Sequence, residues 1–318
     1  MSRYVLQRLV YSIPVLIGAT ILIFLLIHLV PGDPAAAIAG PDAKPQDLEI
    51  IRTRMGLDRP LPIQYLGYVG RALRGDLGQS YFFKEDISRL ILRTMPATLE
   101  LSFAALLISL AVALPAGVIS ATRRNSWVDR SSMLLAVVGA SIPAFWLGIV
   151  LIFLFAVGLG WLPASGRGGP LWTTAGLRHI ILPALTLGAL MMASTTRLTR
   201  AAMLEVLQED YIRTARAKGV SEQVVVYRHA LRNALIPIVT NLGLQIGALL
   251  AGSFLVETVF AWPGIGRLSV DALSRRDYPL IQGTMLMVVV FFIVVNLLVD
   301  LVYPLLDPRI SYSAKAGR

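Results

Sequence analysis

From Leu101 to Ala121, and again from Ser131 to Leu162, the chain carries no charged side chain. Four more stretches are similar: Leu9 to Val30, uncharged apart from His28, then Ile180 to Thr196, Asn233 to Val256 and Tyr278 to Val299. A helix needs roughly 20 consecutive apolar residues to cross the hydrocarbon core of a bilayer. These six runs are long enough to cross as helices. They predict an all-α integral membrane protein with six transmembrane helices. Ser131 to Leu162 is too long for one helix and too short for two. A span to Val157 is expected there, followed by an interfacial segment, Gly158 to Pro163, held by Trp161.

Composition agrees. Only 15% of the 318 residues are charged, 56% are hydrophobic and mean hydropathy is +0.69, whereas a soluble chain carries about 25% charged residues. A net charge of +10 would suggest nucleic acid in a soluble protein. Here the cations follow the positive-inside rule. Arg3 and Arg8 precede the first run, Arg123, Arg124 and Arg130 lie between the second and third, and Arg197 to Arg232 lie between the fourth and fifth. Both termini are therefore expected in the cytoplasm. The first run could be a cleaved signal peptide, with a small-residue site at Ala37-Ile-Ala39. It exceeds the roughly 7–15 residues of a signal core, so a retained helix is expected.

The expected division is 1–30 (N-terminus and first span), 31–96 (a folded external insertion), 97–305 (a five-helix core holding the cytoplasmic loop 201–232) and 306–318 (a cytoplasmic tail). Long loops translocate regardless of charge, so 31–96 can lie outside despite its cations. It opens with turn chemistry at Pro31-Gly-Asp-Pro34. Helices are expected over Gln46–Met55, stopped by Gly56, and over Pro62–Arg74, ended by Gly75. Asp86–Thr94 places Ile87, Leu90 and Ile91 on one face and is expected to lie along the membrane surface.

The loop at 201–232 is the longest charged segment on the cytoplasmic side. Leu204, Leu207, Tyr211 and Ala215 fall at helical spacing and predict one apolar face. Glu209 and Arg213 form a favourable i,i+4 pair. Lys218 and Gly219 read as a helix stop, and Ser221 as the cap of a second short helix with Glu222 in its first turn. On pattern alone, this helix–turn–helix could equally be an amphipathic loop resting on anionic lipid.

Several chemistries are missing from the sequence. It has no Gly-x-x-x-x-Gly-Lys-Ser/Thr phosphate loop, no Gly-x-Ser-x-Gly elbow and no His-Glu-x-x-His helix. It has no cysteine, and its three histidines are scattered without ligand spacing. The chain is thus expected to be no enzyme and to bind no metal or cofactor itself. Polar groups inside spans mark pathways or helix contacts. Asn241, Gln245 and Glu257 are candidates to line a pore. Asn296 and Asp300 are expected to make interhelical hydrogen bonds, and His28 a structural one.

The stretch Ala215-Arg-Ala-Lys-Gly219, with the helices around it, resembles the coupling loop of ABC importer permeases. More narrowly, the chain resembles the dipeptide, oligopeptide, glutathione and nickel permeases. The matching blocks are His28-Leu-Val-Pro-Gly-Asp-Pro34, Asp210 to Gly219, His229-Ala-Leu-Arg-Asn-Ala-Leu-Ile-Pro237, Val256-Glu-Thr-Val-Phe-Ala-Trp-Pro-Gly264 and Arg276-Asp-Tyr-Pro279. The usual Glu-Ala-Ala start of the coupling loop is replaced by Arg213-Thr-Ala215, as in the peptide subfamily. The resemblance implies a second, homologous permease, two cytoplasmic ATPases that hold ATP and Mg, and an external binding protein. It assigns ATPase coupling to Asp210, Tyr211, Arg213, Ala215, Arg216, Ala217, Lys218, Gly219, Val220 and Ser221. A nickel importer is the alternative within the family. A secondary transporter or channel is the alternative outside it, but neither an inverted repeat nor buried mid-helix charges support that.

Overall fold

The computed structural model describes residues 2–29 and 57–306, with isolated positions between them (35, 44, 46, 48, 49, 52 and 53). The Pro31–Pro34 turn, most of the helix expected at Gln46–Met55, the tail after 306, and the side chains of His28 and Asp300 lie outside the described residues. The described residues are almost entirely helical: α1 (Ser2–Leu29), α2 (Leu61–Ala72), α3 (Ile87–Thr122), α4 (Trp127–Ser141), α5 (Ala144–Leu151), α6 (Thr174–Val206), α7 (Asp210–Ala217), α8 (Leu231–Val259), α9 (Ile265–Ser274) and α10 (Tyr278–Leu306). Their only strand-like pairing is the single bridge between Gln79 and Asp86. Stretches of α1, α3, α6 and α10 are each long and apolar enough to cross a membrane, and the bent pair α4–α5 qualifies when taken as one span.

The chain folds as two compact units. The first comprises Met1–Thr98 and Pro263–Val294, so the expected insertion takes in a distant piece of chain. Its core gathers Ile87, Leu90 and Ile91 with Leu268, Leu280 and Ile281. This corrects the surface helix expected at Asp86–Thr94, whose apolar face is buried in protein and which forms the start of α3. Gly283 permits that packing, since a Cβ there would lie 2.5 Å from Ile87 Cγ2. A second cluster sets Phe24 of α1 against Tyr68 and Tyr65 of α2. The helix expected at Pro62–Arg74 is present as α2, and Gly75 takes a left-handed turn after it (φ +77°).

Asp277 ties the polar parts of this unit together. Its carboxylate accepts from Ser80 Oγ at 2.5 Å and from the Phe82 amide at 3.1 Å, and its other oxygen caps α10 through the Leu280 amide. An open cavity of about 530 Å³ lies between α1, α2, the 76–81 turn and the start of α10. Tyr68 lines it with an enclosed hydroxyl that has no partner among the described residues. Burial pushes the Tyr68 pKa up to about 12.

The second unit comprises Leu99–Trp262 and Val295–Arg318. Here α3 and α6 run side by side in the same direction. A Cβ on Gly188 would lie 2.8 Å from the Ala105 carbonyl, and one on Gly117 would lie 2.5 Å from Thr199 Cβ. Small residues bring membrane helices this close. Helix α8 runs antiparallel to α6, with Gln245 opposite Ser194 and Gly252 opposite Leu187. The weakest expected span, Ile180–Thr196, lies inside a 33-residue helix.

The expected single span from Ser131 to Val157 is broken. Helices α4 and α5 meet at a bend of 108°. Pro143 disfavours helical backbone at the residue before it, and Ile142 is extended (φ −83°, ψ 127°). After Leu151 the backbone widens into i→i+5 turns over Ile152–Gly158. Trp161 then packs against Phe155, and its carbonyl accepts from Arg178 at 2.6 Å.

Candidate functional site: the turn at Gly219

Helix α6 ends at Val206, and a non-helical turn at Leu207–Glu209 separates it from α7. Leu204, Leu207 and Ala215 pack on one apolar cluster as expected, but that turn shifts the helical phase of α7. The residue pointing inward is Ile212, fully buried, and not Tyr211, which is 42% exposed. Ile212 packs with Val118 and Ala121 of α3, Met203 of α6, and Val225, Val226 and Ala230. The short helix is thereby anchored on the ends of two long ones. Tyr211 points outward, and its hydroxyl accepts from Asn233 Nδ2 at 2.6 Å.

The stop is a full Schellman motif. The Gly219 amide donates to the Arg216 carbonyl at 2.9 Å, and the Val220 amide donates to the Ala215 carbonyl at 3.2 Å. The motif needs a left-handed residue between Lys218 and Val220, and Gly219 has φ +78°. Ala215 and Val220 both pack on the cluster around Ile212, which supplies the apolar contact that accompanies such a stop.

Charges close over the turn. Arg216 grips Glu222 with both arms, Nε to Oε2 at 3.0 Å and Nη2 to Oε1 at 2.7 Å. The Arg216 hydrogen bond is the first cause holding the Glu222 carboxyl below its ordinary range. The pair therefore adds to stability at neutral pH and loses that contribution as pH falls through the lowered Glu222 value. Both side chains reach solvent, so the contribution is small. The resemblance assigns Arg216 to ATPase coupling, and within this chain its guanidinium is already engaged by Glu222. The expected Glu209–Arg213 pair is replaced by Arg213–Asp210 at 2.6 Å. Ser221 has the extended backbone of a cap but makes no capping bond with its side chain. Past Glu222–Val224 the helix widens over Val225–Ala230 and runs into α8, with Pro237 in its interior. Asp210, Arg213, Ala217, Lys218, Gly219 and Ser221 all face solvent.

The three pore candidates sit on α8 in different settings. Asn241 is half-buried. Gln245 accepts from Ser194 Oγ at 2.8 Å, while its Nε2 is enclosed without a partner. Glu257 is fully buried. Asn296, on α10, is half-buried.

Two ion pairs escaped the sequence reading. Glu100 binds Arg167 at 2.7 Å. Asp129, itself buried, pairs with the partly exposed Arg200 at 2.6 Å. The Ser126-x-x-Asp129 spacing marks a helix start, which places Asp129 but does not reveal its partner.

Comparison with known proteins agrees over the whole length. Residues 113–312 match the family described as binding-protein-dependent transport system inner membrane component, and residues 1–102 match its N-terminal region. The chain is 45% identical to the dipeptide transport system permease protein DppB of Alkalihalophilus pseudofirmus, covering 98% of this chain and all of that one. It is 48% identical to the glutathione transport system permease protein GsiC of Escherichia coli over the same shares. A chain of the inward-facing MetNI methionine ABC transporter has the same fold, with a TM-score of 0.57 at 19% identity, over 68% of this chain and 96% of that one.

Proposed function

Because the chain belongs to the family of binding-protein-dependent transport system inner membrane components, we propose that it is the permease subunit of an ATP-driven ABC importer for peptides. It forms half of a pathway shared with a second, homologous permease. Two cytoplasmic ATPases dock on the turn at Gly219, and a binding protein delivers cargo from outside. Hydrolysis takes place on the ATPases, which hold the ATP and Mg. The observation that carries this reading is α7 itself: a short helix fixed on α3 and α6 through Ile212, with its outer face free for a groove. Cargo of the dipeptide or glutathione kind follows from the relatives. Nickel is the alternative within the family. Vesicles holding the complete system, given labelled dipeptide, glutathione and nickel in turn, should take up a peptide. Uptake of nickel alone would overturn the cargo assignment.

Six spans are part of the proposal. Helices α3 and α6 are parallel, so the chain between them must return once. The bent pair can supply that crossing. Asp129 lies beside Arg200, while the Trp161 carbonyl lies beside Arg178. From Arg178 to Arg200 a helix rises about 33 Å, close to the roughly 30 Å of the hydrocarbon core. Helix α8, with 29 residues, is long enough for the remaining crossing. The cation bias then places the Gly219 turn and both termini in the cytoplasm.

The native chain has no cysteine, so single cysteines report sidedness without background. Leu73→Cys, at an 83% exposed position, should react with an impermeant thiol reagent added to intact cells. Arg124→Cys should react only after lysis. Labelling of Arg124→Cys from outside would reverse the orientation.

Among the pore candidates, Asn241 keeps partial access and is proposed to face the pathway. Gln245 bonds to α6, and Glu257 is enclosed by its own chain.

A further inference from the structure

We infer that Asp129 and Arg200 form a positioning bracket that carries movement of the Gly219 turn into the bent pair α4–α5. The inference rests on the coupling role proposed above for that turn. Arg200 holds the Asp129 carboxylate at both oxygens, Nε to Oδ1 at 2.6 Å and Nη2 to Oδ2 at 2.8 Å. The same carboxylate closes the turn between α3 and α4. Its Oδ2 accepts from the Asn125 amide at 2.9 Å, while Ser126 Oγ accepts from the Asp129 amide at 3.3 Å. Ser126 thus caps α4, while the aspartate reaches back past the cap to the Asn125 amide, and Asn125 takes the left-handed conformation (φ +64°) that asparagine tolerates. One carboxylate thus serves the end of α3, the start of α4 and the last turns of α6.

The site is built for fixed geometry. The Asp129 side chain is 4% exposed. A neighbouring residue, Thr199, is the one that leaves no space for a Cβ on Gly117, so three helices converge at this level. As a stabiliser, an ion pair built on a buried carboxylate is a poor choice, because desolvation of that carboxylate offsets the attraction. A bidentate fork instead fixes direction as well as distance. Arg200 lies in the last turns of α6, shortly before α7. A shift of α7 that moves the end of α6 must therefore carry the start of α4 with it. Pro143 then lets α4 swing against α5, because no backbone ladder crosses the 108° bend.

The test separates bracket from packing. Asp129→Asn with Arg200→Met removes both charges together, keeps an acceptor for the Asn125 amide and leaves no lone buried ion. The variant is purified as the full complex with its ATPases, and subunit stoichiometry, ATP hydrolysis and uptake are measured. Stoichiometry should match wild type, while cargo moved per ATP falls about two- to thirtyfold, the range for residues along a coupling chain. Wild-type transport per ATP in the assembled double variant would overturn the inference. Arg200→Lys, which keeps the charge but loses the fork, decides the matter if the double variant does not assemble. A reduced ratio supports the bracket, and an unchanged one refutes it. Gly219→Val is run in parallel. If it uncouples while the bracket variants do not, only the bracket fails. If neither uncouples, the coupling role of the turn fails.

Discussion

Gly219→Val should leave the membrane helices folded and break the link between ATP hydrolysis and transport. Nothing lies within 4 Å of where a Cβ would stand at Gly219, and the residue has φ +78°. The effect is therefore one of backbone conformation, without a clash. A left-handed conformation costs an ordinary residue roughly 1–2 kcal/mol, and for a β-branched residue it is a genuine outlier. A penalty of that size shifts the population holding the Schellman turn about 5- to 30-fold. Losing the turn frees α7 from its angle to α8, and the Arg216–Glu222 clasp goes with it. ATP hydrolysis should persist or fall with docking, while transport per ATP falls. Gly219→Asn is the matched control, because asparagine visits the left-handed region readily. It should stay near wild type. Equal transport per ATP in Gly219→Val and wild type would contradict the role assigned to the turn.

Gly117→Ala should lower the level and thermal stability of the purified chain more than its one added methyl group suggests. That methyl carbon would stand 2.5 Å from Thr199 Cβ, 2.7 Å from Thr199 Cγ2 and 2.9 Å from the Thr196 carbonyl oxygen. None of these is the free end of a flexible side chain, so α3 and α6 must move apart. Overpacking of this kind costs about 1–3 kcal/mol and at times more. Thr195, Thr199 and Ser120 already have buried hydroxyls without partners in this region, so there is little slack to absorb the shift. Gly139→Ala is the control, with nothing within 4 Å. Alanine in place of a helical glycine there should be neutral or stabilising by up to about 1 kcal/mol. Melted side by side in detergent, Gly117→Ala should unfold at a lower temperature than wild type and Gly139→Ala should not. Equal melting of Gly117→Ala and wild type would mean that the helices are not in such close contact.

Much of this arrangement could be read from the sequence, because apolar length and charge placement are one-dimensional signals. The uncharged runs located α1, α3, α6, α8 and α10, and Gly219 after Lys218 located the helix stop. What escaped depends on phase and on distant partners. The three-residue turn at Leu207–Glu209 rotated α7, so Ile212 and not Tyr211 became the anchor. Pro143 was visible, but whether a proline bends or breaks a span depends on the packing around it, and here the bend is 108°. The apolar face of Ile87, Leu90 and Ile91 was seen correctly and assigned to lipid. Its true cover, from Leu268 to Ile281, lies too far along the chain for local periodicity to reveal. Asp129 and Arg200 are 71 positions apart, and Ser80 and Asp277 are 197 apart. No spacing rule joins either pair. The site residues that were legible are those in the Schellman turn, where geometry is set by neighbours in sequence.

Reconstitution gives the most direct measurement. The chain is placed in liposomes with the partners proposed above, a second permease and ATPases, and with loaded binding protein on the side opposite the Gly219 turn, and cargo uptake is followed with ATP, or with a non-hydrolysable analogue, on the side of that turn. Uptake should require both hydrolysable ATP and the binding protein, and should stop when hydrolysis stops. Uptake that continues at the same rate with the analogue, or follows the cargo gradient alone, would make the chain a channel or secondary transporter and contradict the assignment.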